Sequence, residues 1–229
     1  MEYRNELKFQ LDFMDIQKLK YRLEAFLDYD ENQKGDFYTV RSLYFDDIYD
    51  TCLFESESGV DNRKKYRLRI YNGDLDVVHL EKKCKLRGMT KKITEEIPLE
   101  ECRKLAAGKP MERDGGLAQE LGYLMQSRNM TPKCIVEYDR CAMVNHVGNV
   151  RITFDMEVRG TVHTDCFLAG GKERFDFVMA PGMHILEIKY DELLPEPILR
   201  AVNLEHLQRQ SISKYVWVRQ KFKGQRSRA

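Results

Sequence analysis

Apolar and polar residues alternate strictly through Lys65-Tyr66-Arg67-Leu68-Arg69-Ile70-Tyr71, which sends three cations to one face of a strand and an apolar stripe to the other. The same period of two groups His79, Glu81, Lys83 and Lys85 on one face of the segment from Val77 to Lys85. It also groups Arg4, Glu6 and Lys8. It sets Arg151, Thr153, Asp155 and Glu157 against Val150, Ile152, Phe154 and Met156, and Glu187 and Lys189 against Leu186, Ile188 and Tyr190. Strands are therefore predicted near 3–11, 37–46, 64–72, 76–85, 91–97, 133–144, 149–158 and 184–190, with a further short one near 161–165.

Helical spacing interrupts these runs. Ile16, Leu19, Leu23, Phe26 and Leu27 share a face over 15–27, and Pro98 opens a second helix whose Leu99, Cys102 and Leu105 line up before Gly108 stops it. A third helix over 117–127 presents Leu117, Leu121 and Leu124. Pro197 starts a fourth, and Ser213 caps a last one running through Trp217 to about Phe222.

No internal repeat, low-complexity tract or composition shift divides the chain, so residues 1–220 are expected to form one domain and 221–229 a basic tail. The class is α+β, an antiparallel sheet of about eight strands with peripheral helices packed on its uncharged face. Two arrangements of the charged face remain open. The sheet can stay open with that face in water, or it can curl shut so that the face lines a tunnel. Arg67 and Arg69 are nearest same-face neighbours, as are Lys83 and Lys85. Such pairs repel, and more so in a confined interior. An empty tunnel would be strained, and a polyanion would relieve it.

Composition narrows the picture. With 229 residues, 42% of them hydrophobic, the chain can bury a sizeable core. Its 38 basic and 37 acidic residues nearly cancel, so any electrostatic function must come from local segregation of charge. Six cysteines without a CxxC pair fit reduced thiols better than a disulfide frame or a zinc site. The charged amino terminus and the lack of a long apolar run imply a cytoplasmic protein without direct membrane insertion.

Several chemistries lack their motifs. There is no Walker A loop and no GxGxxG order around Gly88 or Gly115-Gly116, so a phosphate ligand would be held by side chains. The five histidines form no HExxH or HxH pattern, and only His79 falls on a charged face. No GxSxG elbow occurs. Glu6, Glu81, Asp155, Glu157 and Glu187 share strand faces with the cations, where each can either pair with a lysine or arginine or offer hard oxygen to Mg²⁺ or Mn²⁺. Salt bridges are the expectation for Glu81 and Glu157.

The segments Arg4-Asn5-Glu6-Leu7-Lys8-Phe9, Ser42-Leu43-Tyr44-Phe45-Asp46, Lys65-Tyr66-Arg67-Leu68-Arg69, Leu80-Glu81-Lys82-Lys83, Glu137-Tyr138-Asp139-Arg140, Leu186-Glu187-Ile188-Lys189 and Ser211-Ile212-Ser213-Lys214-Tyr215 resemble, in order, the blocks of VTC domains. Those are the polyphosphate polymerases of the CYTH, or triphosphate tunnel, superfamily. The resemblance runs from Arg4 to about Val218. It implies an antiparallel β-tunnel that transfers the terminal phosphoryl group of ATP to a growing inorganic polyphosphate chain with Mn²⁺ or Mg²⁺. Carried over block by block, it implies catalytic roles for Lys8, Arg67, Arg69, Lys83, Arg140 and Lys214. It implies phosphate binding by Lys91 (with Lys92 as the neighbouring alternative), Tyr138, Arg151, Lys189 and Ser213, and metal binding by Glu187 with Glu6.

Two departures stand out. The superfamily often opens with ExExK, whereas Arg4 occupies the first position here, removing a carboxylate and leaning the expectation towards polymerase over triphosphatase. Ser211 stands where some polymerases carry a further lysine. No SPX-type regulatory domain is visible, so the expected setting is an isolated catalytic domain or one with a separate membrane partner. The rival readings are a tripolyphosphatase or nucleoside triphosphatase of the same fold and a noncatalytic polyphosphate-binding module. Nucleic acid is not an expected partner, because stacking aromatics are not concentrated on the charged face.

Overall fold

The computed structural model describes residues 3–111, 115–169, 174–203 and 205–223. Eight long strands follow one another across one antiparallel sheet: β1 (Asn5–Asp12), β10 (Met183–Tyr190), β8 (Val150–Thr161), β7 (Thr131–Asn145), β3 (Tyr38–Asp46), β4 (Arg63–Tyr71), β5 (Val78–Leu86) and β6 (Met89–Ile97). Two short strands lie off this path, β2 (Asp28–Tyr29) on β7 and β9 (Asp176–Phe177) on β8. The sheet curls until its edges meet. Beside β1 and β6, Arg4 and Thr90 exchange two backbone hydrogen bonds of 2.9 Å each. This contact joins one end of the curled sheet, which is a tunnel-like fold rather than an open sheet.

Register then decides which side chains share the lumen. Lys8 lies opposite Glu187, Glu187 opposite Thr153, Ser42 opposite Arg69, and Lys65 opposite Lys83. The alternate residues pack outward against helices. On one side, α1 (Phe13–Leu23) and α6 (Glu196–Val202) bury Ile16, Leu19 and Ile198 against Leu11, Ile152, Phe154 and Leu186. On the other, α3 (Leu99–Ala106) and α4 (Gly116–Arg128) bury Cys102, Leu105, Leu117 and Leu121 against Leu68, Leu80 and Ile97. Asp12 caps α1 through its carboxylate, which accepts the Asp15 N–H at 2.8 Å.

Helix α7 (Lys214–Lys221) matters most for the site. It lies against β7, β8 and the helix α2 (Thr51–Glu57). The β8 residue beneath it is Gly160, where a β-carbon would overlap Val218. Ser213 caps it by accepting the Val216 N–H at 3.4 Å, as its spacing predicts. Phe222 is buried in the core, so the packed domain runs into the segment expected to be tail, while 224–229 lie outside the described residues.

Other expectations need correction. The short strand near 161–165 is not formed, because the chain turns after Thr161 into α5 (Cys166–Ala169). Helix α2 escaped the periodicity. Its seven residues are set by the side chains of Asp46 and Asp47, which accept the N–H groups of Thr51, Cys52 and Leu53 at 2.8–3.0 Å. The pairing of β7 with β8 shifts between Glu137 and Asp139 of β7, and Glu157 of β8 sits there with a φ of 51°. That bulge takes Glu157 off the tunnel face into solvent, so the salt bridge expected for it is not formed among the described residues. None of the six cysteines forms a disulfide. No helix among the described residues is long and apolar enough to cross a membrane.

Candidate active site

The lumen holds two chambers, of about 640 Å³ and about 610 Å³, that share Glu6, Arg67, Arg69, Lys83, Arg140 and Lys189. The first has a carboxylate at its centre. Glu187 is 5% exposed, and its Oε1 lies 3.1 Å from Lys8 Nζ and 3.2 Å from Lys214 Nζ. Its Oε2 lies 3.1 Å from Lys189 Nζ and 3.7 Å from Arg140 Nη2. Burial opposes ionisation of this carboxyl, but Lys214, Lys8, Lys189 and Arg140 outweigh it and hold its pKa far below the carboxylate range.

Asp155 orients two of those cations. Arg140 donates to it through two bonds of 2.5 and 2.7 Å, and Lys214 Nζ reaches Oδ2 at 2.5 Å. The Tyr138 ring lies under both, 5.1 Å from the guanidinium and 4.6 Å from the ammonium. Glu6 engages Lys83 at 2.9 and 3.0 Å, with Lys189 and Lys8 at 3.8 and 3.9 Å. Its carboxyl is likewise held far below the ordinary range, because Lys8 and Lys83 outweigh burial.

The opposite wall is an arginine pair over one carboxylate. Glu81 accepts Arg67 at 2.6 Å and Lys92 at 2.9 Å, with Arg69 at 3.6 Å, as the salt-bridge expectation required. Tyr44 and Ser42 hold the guanidiniums in place, accepting from Arg67 Nη1 at 2.8 Å and from Arg69 Nε at 3.0 Å.

Lys65 differs from the rest. Among the described residues no carboxylate forms an ion pair with it, and its Nζ instead donates to Ser213 Oγ at 3.0 Å and sits 5.2 Å over the Tyr215 ring. Burial, reinforced by Lys83, Lys8 and Arg63, pushes its pKa down to about 7. Burial also brings Lys83 down to about 8 despite Glu6, with Lys8 adding repulsion. The strain anticipated for an empty tunnel is thus concentrated at these two amines.

Of the thirteen residues implied by the resemblance, eleven line the first chamber: Glu6, Lys8, Arg67, Arg69, Lys83, Tyr138, Arg140, Glu187, Lys189, Ser213 and Lys214. Arg151 lines only the second chamber. Lys91 lines neither. The turn Arg87-Gly88, with both φ angles positive, pairs Leu86 with Met89, so Lys92 lies opposite Lys83 on the tunnel face and Lys91 lies opposite Cys84 on the other. Counting register back from that two-residue turn identifies Lys92 from sequence alone. Lys65, Tyr44 and Lys85 also line the first chamber and were absent from the implied set, although Lys65 and Lys85 lie on strand faces that the alternation had already grouped.

Among the described residues no three His, Cys, Asp or Glu side chains are grouped so as to hold a metal ion. A protein-only cage is therefore not the fit. A hard cation that keeps phosphate oxygens in its own shell needs only one or two carboxylates. Glu187 and Glu6 supply such carboxylates, both ionised and both hard oxygen donors, and a cation there would have to take the place of lysine ammonium groups that now pair with them. Beside Glu187 in register, Thr153 adds a buried hydroxyl without a hydrogen-bond partner among the described residues.

The family model for the VTC domain matches residues 3–223. Among solved structures, a candidate adenylate cyclase from Bacillus halodurans is 13% identical, with 87% of this chain and 86% of that chain covered at a TM-score of 0.52. A candidate adenylate cyclase from Vibrio parahaemolyticus is 12% identical, with 94% and 97% covered at 0.51. At these identities the likeness concerns the fold. No curated protein matches the chain.

Proposed function

The chain belongs to the VTC domain family, and from that premise we propose that it is a polyphosphate polymerase, transferring the terminal phosphoryl group of ATP to the end of an inorganic polyphosphate chain. The observation that carries this reading is the pair of chambers sharing one cationic wall. Such a lumen offers room for a donor triphosphate and a phosphate acceptor on either side of Arg67, Arg69, Lys83 and Arg140.

In this reading a terminal oxygen of the held chain attacks the γ-phosphorus, a new P–O–P bond forms, the bond to the β-phosphate oxygen breaks, and ADP leaves. No protein nucleophile is needed. The work is positioning and charge stabilisation. Lys8, Lys214 and Arg140 present a preformed set of donors on rigid elements, held in place by Asp155 and Glu187. Arg67 and Arg69 supply planar forks suited to phosphate oxygens, held by Tyr44 and Ser42. When bound at Glu187 and Glu6, Mn²⁺ or Mg²⁺ would neutralise charge on the phosphoryl oxygens and the leaving group.

Transfer to phosphate is favoured over transfer to water by what the carboxylates are doing. Glu187 and Glu6 have pKa values far below the range of a useful general base, and both are saturated by ammonium groups. The position that carries a carboxylate in many relatives of the superfamily is Arg4, ion-paired with Asp191 at 3.0 Å. Incubation with ATP and Mn²⁺, resolved on a gel, is the test. Long polyphosphate with stoichiometric ADP is the expected result. Phosphate release without chains would replace this reading by a triphosphatase, and tight binding without turnover by a binding module.

A further inference from the structure

The two chambers differ in how their cations are compensated. In the first, Arg63, Lys65 and Lys85 form no ion pair among the described residues and are open to an incoming anion. In the second, Arg4 pairs with Asp191 at 3.0 Å, Lys92 with Glu81 at 2.9 Å, and Arg151 with Asp30 at 2.6 Å. The first two partners are at the rim or in the shared wall. Asp30 is neither, since it comes from the connection between β2 and β3.

Asp30 is 6% exposed and splits its carboxylate between two tasks. Oδ1 accepts the Asn32 backbone N–H at 3.0 Å and its side-chain amide at 3.1 Å, while Oδ2 faces Arg151 Nη1 at 2.6 Å. Arg151 also donates to the Tyr38 hydroxyl at 3.2 Å. In register, Arg151 lies opposite Lys189, one same-face step beyond Thr153 and Glu187, or about 7 Å along the strand. A phosphate chain extended past Lys189 and Arg140 therefore meets a guanidinium already occupied by a carboxylate.

The geometry points to Asp30 as a tethered anion that competes with the phosphate chain for Arg151, and so sets how firmly chains longer than the first chamber are held. This inference rests on the polyphosphate reading of the tunnel. A short anion is held in the first chamber and leaves the Asp30–Arg151 pair intact. A long one must displace the carboxylate to use Arg151, and removing the competing charge should strengthen long-chain binding selectively.

The test compares tripolyphosphate with long-chain polyphosphate by calorimetry on the full chain. In Asp30→Asn, which keeps an Oδ1 acceptor for Asn32 but loses the charge, the long-to-short affinity ratio should rise about tenfold over wild type. In Asp30→Glu, which keeps the charge, it should stay near the wild-type value. An unchanged ratio in Asp30→Asn overturns the inference while the tunnel reading stands. Failure of the wild type to bind either anion overturns both. A measurement on the wild type alone serves if the variant does not fold. Long-chain polyphosphate, but not tripolyphosphate, should speed amide exchange at Asn32 and Gln33, and protection that is unchanged there also overturns the inference.

Discussion

Tyr215 donates its hydroxyl hydrogen to Asp46 at 2.6 Å across 169 residues of sequence. Asp46 is fully buried, and its carboxylate also accepts the backbone N–H groups of Asp47, Cys52 and Leu53 at 2.8–3.0 Å. The same hydroxyl accepts from Arg219 Nη1 at 2.8 Å. One phenol therefore ties the first turn of α7 to the start of α2. Since Lys214 is its neighbour, the bond also fixes where the Lys214 ammonium enters the tunnel.

Tyr215→Phe should lower stability by about 1–3 kcal/mol, because Arg219 loses the acceptor at Nη1 while keeping Asp50 at Nη2, and Asp46 loses a donor in a dry site. Urea unfolding with an unchanged m-value would measure that loss. Tripolyphosphate affinity should fall severalfold in the same variant, through Lys214. A variant that loses neither stability nor affinity would separate this bond from the site.

Glu187→Gln should behave in two opposed ways. It leaves Lys8, Lys214, Lys189 and Arg140 around a neutral amide, and breaking a buried pair of this kind costs about 3–5 kcal/mol in the empty protein. A bound polyanion supplies the missing negative charge. Thermal denaturation should therefore show a lower Tm without ligand and a larger rise with tripolyphosphate than wild type shows. Metal-dependent turnover should disappear while phosphate binding persists, and wild-type turnover in this variant would contradict the metal assignment.

How much of this was legible depended on the strand. Where alternation is uninterrupted, as in Arg67-Leu68-Arg69 or Leu186-Glu187-Ile188-Lys189, the period of two alone gave each side chain its face. It failed at Glu157, where one bulged residue with positive φ changes the face of everything beyond it. Lys91 and Lys92 could not be told apart by alternation, since both are lysines, and only the Arg87-Gly88 turn resolves them. Charge compensation was the least legible feature. Lys65 and Lys83 are adjacent in register on one face, yet only the three-dimensional placement of Glu6 gives one of them a carboxylate.

Lys65→Gln should therefore stabilise the empty protein while weakening phosphate binding, an uncommon combination. The lysine gives up hydration and gains no carboxylate in return, so its removal should contribute about 1 kcal/mol to stability. Binding of tripolyphosphate should fall by about tenfold, the loss of one charge-assisted contact. Paired urea and calorimetric titrations would read both signs, and a destabilised variant would mean that the Ser213 hydrogen bond and the Tyr215 ring contact outweigh the hydration that Lys65 gives up.

The same amines set a pH dependence. Lys65 titrates near 7 and Lys83 near 8 in the empty tunnel, against an ordinary value of 10.5. Between about pH 7 and 10 the unfolded chain therefore binds more protons than the empty fold, so stability should rise with pH across that window. Ligand binding runs the other way. A polyphosphate beside these amines raises their pKa values, so binding takes up protons, and affinity should fall as pH increases from about 7 to 9. Calorimetry at about pH 8 in two buffers of different ionisation enthalpy would count the protons taken up, with Lys65→Gln taking up fewer than wild type. Binding without net proton uptake, at an affinity that stays flat over this range, would show that these lysines are already charged in the empty tunnel and that its repulsion is compensated elsewhere.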